Sequence, residues 1–227
     1  MEVVLTADFW IGLLKIIGVN VVLSGDNAVV IALAAKSLPP HHQRQAVIWG
    51  SAAAVVLLVL LTAVAAELLD VPWLQIAGGL LLLWIGSQLL AVDEDGEEGT
   101  SQKHLSLMAA IRTILVADLV MSMDNVIAVA AAAKGSMVLL VLGLAISIPI
   151  VIFGATLMVR LMDRYPVLVY AGAALVGWVG GETIIEDHVL ESLVHHSAVW
   201  HYTAAFAGAL LVLAAGRVMA ARSARAA

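Results

Sequence analysis

Two Asp-Asn pairs lie deep in apolar surroundings: Ser24-Gly25-Asp26-Asn27, and Ser122-Met123-Asp124-Asn125 with Asp118 one turn before it. Carboxylates, amide oxygens and hydroxyls are hard donors, suited to replacing the hydration shell of Mn²⁺, Mg²⁺ or Ca²⁺. Asp26 stands about 17 residues into one apolar stretch and Asp124 about 19 into another, too deep for a short side chain to reach water, and an ionisable group at that depth marks a functional site. Asp26, Asp118 and Asp124 brought together would repel one another unless a cation occupied the site or one carboxyl kept its proton. That is the chemistry of ion transport.

Positions 20, 24 and 27, like 118, 122 and 125, follow the i, i+4, i+7 spacing of one helix face. The face reads Asn20-Ser24-Asn27 in the first case and Asp118-Ser122-Asn125 in the second. On an ideal helix Asp26 and Asp124 point about 100° away, but Gly25 within Ser-Gly-Asp-Asn favours a local break that would re-aim them and free backbone carbonyls. The candidate metal-ligating set is therefore Asn20, Asp26, Asn27, Asp118, Asp124 and Asn125. Met121 and Met123 flank the second cluster and read as helix filling, although a thioether favours softer ions.

The elements that must position these groups are membrane spans. The 227 residues are 63% hydrophobic and 12% charged, with mean hydropathy +1.04, far from the balance of a water-soluble domain. Apolar stretches run over 9–35, 46–69, 73–92, 105–133, 138–158, 167–185 and 199–219, which predicts seven transmembrane helices in an all-α fold. A single transmembrane domain follows, with an acidic linker at 93–104. There are no cysteines, so disulfides, thiolate metal sites and cysteine nucleophiles are excluded, and no basic face suggests nucleic acid. No site for a prosthetic cofactor is evident, and Mn²⁺ or another divalent ion enters only as cargo.

A shift of 98 residues lays Asn20–Asn27 over Asp118–Asn125 and Lys36 over Lys134. A shift of 94 lays Pro72, Gly78, Trp84 and Gly86 over Pro166, Gly172, Trp178 and Gly180. The chain reads as a repeat at about 9–92, a second at about 105–185 and an added helix at about 199–219. Because each unit has three spans, the second is inverted, the architecture of many secondary transporters. Lys36, Arg44, Lys103, Arg160, Arg164, Arg217, Arg222 and Arg225 fall on one side and Lys134 alone on the other, which predicts an outside N-terminus and a cytoplasmic C-terminus. The acidic run Asp93–Glu98 is read as a solvated hinge. Lys15 and Arg112 lie about two turns inside the spans and are expected to snorkel. Glu182 lies on the ion path or at the interface, Glu67 is interfacial, and Glu186–His196 is expected to form a short interfacial helix.

The two motifs, with Gly78-Gly79 and Trp84, resemble the TerC family, particularly its short YjbE-type branch, over nearly the whole chain. The resemblance implies a seven-helix, multi-pass protein of the bacterial inner membrane and, since several members are taken to export manganese, a Mn²⁺ exporter. It places the metal role on Asp26, Asp118 and Asp124, with Asn27 and Asn125 beside them. Some longer members carry an acid where Asn20 stands. The expected partners are a divalent cation and the lipid bilayer, and a homo-oligomer is compatible with the pattern. The competing reading is an intramembrane aspartyl protease using Asp26 and Asp124, but Leu23-Ser24-Gly25-Asp26 lacks the first glycine of that class and no Pro-Ala-Leu occurs. A retinal-type receptor would need a lysine in the last span, which has none, and a carboxylate-lined site repels tellurium oxyanions.

Overall fold

The computed structural model describes residues 7–69, 71–97, 106–133, 136–191 and 198–226; the side chains of 7–8, 63–69, 93–97, 124, 191 and 223–226 lie outside that description. Its described residues form helices and no strand: α1 (Ala7–Leu23), α2 (Gly25–Lys36), α3 (Pro40–Leu69), α4 (Leu74–Glu97), α5 (Leu107–Ala133), α6 (Met137–Arg164), α7 (Val167–Ile185), α8 (His188–Glu191) and α9 (Ala198–Ala226). Five of these, α3, α4, α6, α7 and α9, are long and apolar enough to span a bilayer unaided. Two further spans arise if α1 with α2, and the two arms of α5, are each one bent crossing.

The bends fall at the polar motifs. α1 and α2 meet at 51° across Ser24, and the arms of α5 on either side of Asp124 meet at 68°. Ser24 leaves the α geometry at φ −97°, ψ 8°, where the following glycine tolerates a change of direction.

α2 is the centre of the bundle. Every residue from Asn27 to Ala35 is buried, because α3, α5, α6 and α7 all pack against this short helix. It is apolar around most of its circumference, as a helix with no lipid or water face should be. α1 and α6 pack together, as do α3 and α5, and Phe9, Leu13 and Ile16 join Leu58, Val126 and Leu140 in a second apolar cluster. α4, α7 and α9 form a tight trio on the other side. There the backbones nearly touch: a Cβ on Gly177 would stand 2.5 Å from the Gly208 carbonyl oxygen, and one on Gly79 the same distance from that of Gly180. Small residues permit such approach where no hydrophobic effect drives helices together.

Two boundaries differ from the sequence expectation. α3 begins at Pro40, inside what reads as a break, because proline fits the first helical position where no N–H partner is needed. α4 continues to Glu97, so Asp93–Glu97 extend a span as helix rather than form a hinge. Residues 98–105, with Lys103, lie outside the described residues, as do Lys134 and the His195-His196 pair. The side chains of Glu67 and Arg225 also lie outside them. Of the outer segment 186–196, α8 is the described helical part.

Candidate functional site

The break between α1 and α2 determines what its backbone can offer. In an unbroken helix the Asn27 N–H would seek the Leu23 carbonyl; here it donates to Asp26 Oδ1 at 2.8 Å. The Leu23 carbonyl accepts instead from Asn125 Nδ2 at 3.4 Å, a link spanning 102 residues. One motif thus bends its own helix with its carboxylate, and the other supplies the amide that satisfies the exposed carbonyl.

Around this junction the structure gathers most of the expected set. Asn20, Asn27 and Asp118 are buried, at 3%, 7% and 6% exposure, and Asp26 and Asn125 are half-buried. Ser122, fully enclosed, hydrogen-bonds the Asp118 carboxyl, and Asp26 lies close enough to act on that carboxyl through its charge. Ser24 Oγ makes only a long 3.5 Å contact with Asn20 Oδ1. Asn20 Nδ2, Asn27 Oδ1 and Asp118 Oδ2 are buried without a hydrogen-bond partner. Buried polar atoms are normally satisfied, so three such atoms on three facing helices identify a place built for something else. Two are oxygens, which is the donor chemistry a hard cation needs.

The side chain of Asp124 lies outside the described residues. Among those described, no three His, Cys, Asp or Glu side chains are grouped closely enough to hold a metal ion. Ser51 Oγ on α3 is a further buried, unpartnered oxygen. A lone serine in an apolar run gave no signal in the sequence. Met121 and Met123 are buried, Met121 within the main apolar core, as filling residues are. Lys15 and Arg112 are exposed on the bundle surface, where their stems can reach an interface.

Two polar arrangements near the C-terminal end of α7, one of them made by Glu182, involve partners that the sequence does not indicate. Glu182 Oε1 lies 3.3 Å from His201 Nε2 and Glu186 Oε1 lies 3.8 Å from it, tying α7 to α9. Asp187, 2% exposed, accepts from the backbone N–H groups of Trp73, Gln75, Ile76 and Val189 at 3.0–3.3 Å. It caps the start of α4 from more than a hundred residues away and holds Trp73 in the left-handed region at φ 69°. Burial acts to raise the Asp187 carboxyl, but the four donors outweigh it and hold the group below the ordinary carboxylate range.

Residues 5–224 match the integral membrane protein TerC family. The chain belongs to the TerC family. It is 43% identical over 183 residues to the uncharacterized membrane protein YjbE of Bacillus subtilis, covering 81% of this chain and 83% of that protein. It is 25% identical over 238 residues to the uncharacterized membrane protein YkoY of the same organism, covering 91% and 73% respectively. No solved structure matches. This TerC chain is a multi-pass integral membrane protein of a family generally associated with transport, and nothing in its site or its relatives supports the aspartyl protease reading.

Proposed function

We propose that this TerC chain is a secondary transporter that exports divalent cations, Mn²⁺ foremost, across the bacterial inner membrane. The ion would bind at the α1–α2 break through Asp26, Asp118 and Asp124, with Asn20, Asn27, Asn125 and the neighbouring carbonyls completing an oxygen shell. One observation carries this reading: the Asp26 and Asp118 carboxylates, 92 residues apart in sequence, act on each other beside buried oxygens that have no partner. A cation would relieve the repulsion and complete the unmet hydrogen-bonding capacity together, whereas carboxyls kept only as neutral glue between helices would leave no buried oxygen such as Asp118 Oδ2 unmet.

An inverted repeat is the architecture we assign. Two contacts support it. A Cβ on Gly143 of α6 would meet the Ile16 side chain of α1 at 2.5 Å, and one on Gly50 of α3 would meet Ile114 of α5 at 2.8 Å. Ile16 and Ile114 are related by the same 98-residue shift that superposes the Asp-Asn motifs. In this architecture the two bent helices cross antiparallel at the midplane, the N-terminus lies outside and the C-terminus in the cytoplasm. The excess of Lys and Arg on one set of loops supports that orientation.

The reading is tested by transport into proteoliposomes, comparing Mn²⁺, Mg²⁺, Ca²⁺ and Zn²⁺ under two pH gradients. Saturable Mn²⁺ movement that collapses in Asp26→Asn and Asp118→Asn is the expected result. Equal leakage of all four ions with or without the protein would overturn it.

A further inference from the structure

A cleft of about 720 Å³ opens between α3 and α6, and no residue of either Asp-Asn motif lines it. Its polar end is formed where α3 begins and α6 finishes, by Arg44, Arg160 and Asp163. All three are exposed, and none makes an ion pair with another described residue. Its other end is apolar, walled by Ile48, Ile152 and Phe153, with Phe153 70% exposed. Because α3 and α6 are both long enough to span, their paired ends stand at the membrane–water boundary, so the polar end meets headgroups and the apolar end meets acyl chains.

We propose that this cleft binds an anionic phospholipid, its phosphodiester held between Arg44 and Arg160 and one acyl chain lying along Ile48, Ile152 and Phe153. Charge complementarity selects this occupant. Two guanidiniums and one carboxylate leave the cleft one positive charge, which a single phosphodiester with an uncharged headgroup neutralises. Guanidinium forks match phosphate oxygens in pairs, and basic pockets between spans at the interface are suited to lipid headgroups. The first turn of α3 adds the positive end of a helix at the same place. The same net charge repels a divalent cation, so this site is separate from that of the proposed cargo. The inference requires only that α3 and α6 cross the membrane.

Native mass spectrometry of the purified full chain, titrated with phosphatidylglycerol, phosphatidylcholine and diacylglycerol of equal chain length, tests the assignment. Phosphatidylglycerol should bind at least tenfold more tightly than phosphatidylcholine, and diacylglycerol should not bind measurably. In R44Q/R160Q the preference should disappear. D163N, which raises the charge of the cleft and removes no contact to the chain, should strengthen phosphatidylglycerol binding severalfold and keeps the idea testable if the double variant does not fold. Equal affinity for the two phospholipids, retention of the preference in R44Q/R160Q, or weaker binding in D163N would overturn the site. Displacement of the bound lipid by millimolar inorganic phosphate would show an anion site without acyl-chain recognition and would overturn it equally.

Discussion

Asn125 donates its side-chain amide to the Leu23 carbonyl at 3.4 Å, joining the second Asp-Asn motif to the backbone break beside the first. The contact gives the Asn125 amide nitrogen a fixed acceptor. Asn125→Asp keeps the size but turns the donor into a second oxygen opposite the carbonyl. If position 125 only supplied negative potential, the added charge would tighten cation binding. If it holds the break, transport should fall about tenfold, the ~1.4 kcal/mol scale of one lost hydrogen bond and its unmet partner. Mn²⁺ transport in proteoliposomes, with size-exclusion profiles as the folding control, separates these outcomes.

Asp118 is the more buried of the two described carboxylates, with one oxygen unpartnered. Asp118→Asn removes a charge that folding must desolvate, so its unfolding midpoint without metal should equal or exceed that of the wild type. Saturating Mn²⁺ should raise the wild-type midpoint, since a ligand at 100 times its dissociation constant stabilises by about 2.7 kcal/mol. In Asp118→Asn and Asp26→Asn that rise should shrink to a small fraction. An undiminished Mn²⁺-dependent rise in both would remove these carboxylates from the site.

How much of this was legible beforehand follows from the range of each interaction. The break at Ser24-Gly25 is a local matter of a glycine and two short polar side chains, and it was readable. So were the five long spans α3, α4, α6, α7 and α9, which follow from runs of apolar residues longer than a bilayer is thick. Asp187 was not, because three of its four donors, Trp73, Gln75 and Ile76, lie at the start of α4 more than a hundred residues away, and its sequence neighbours resemble any interfacial acid. The link from Asn125 to Leu23 depends on two helix breaks meeting in space. The helical state of Asp93–Glu97 was missed because acidic residues read as linker, although a helix can run on into water beyond the bilayer.

The glycines give a graded test of packing. Gly25 and Gly18 have open space where a Cβ would go, whereas one on Gly79 would lie 2.5 Å from the Gly180 carbonyl oxygen and 3.1 Å from the Ile184 nitrogen. Backbone on a packed neighbour cannot rotate away, so Gly79→Ala should destabilise by about 1–3 kcal/mol or more, and Gly18→Ala should be neutral or better. Gly50→Ala meets only the Ile114 side chain, and Ile114→Val in the same molecule should recover part of its loss. Unfolding of the detergent-solubilised variants measures all four. Equal destabilisation at Gly18 and Gly79 would contradict the close approach of α4 and α7.

Asp187 makes the stability of the α4 entry depend on acid. Its folded carboxyl titrates below the ordinary value of 3.8, so the unfolded chain takes up a proton first as the pH falls. The stabilisation is therefore complete above about pH 5, well clear of that unfolded value, and is lost as the pH falls through the lower, folded one. Asp187→Asn supplies one oxygen in place of two. Trp73 and Val189 donate to Oδ1 while Gln75 and Ile76 donate to Oδ2, so either orientation of the amide sets its NH₂ against two backbone donors. The variant should lose roughly 1–3 kcal/mol at pH 7. The gap between wild type and variant should stay constant from pH 8 to pH 5 and narrow below about pH 4. Subtracting the two pH profiles cancels the titration of the other acids. A gap that opens near neutral pH, or none at pH 7, would mean that Asp187 is not the charged cap of α4.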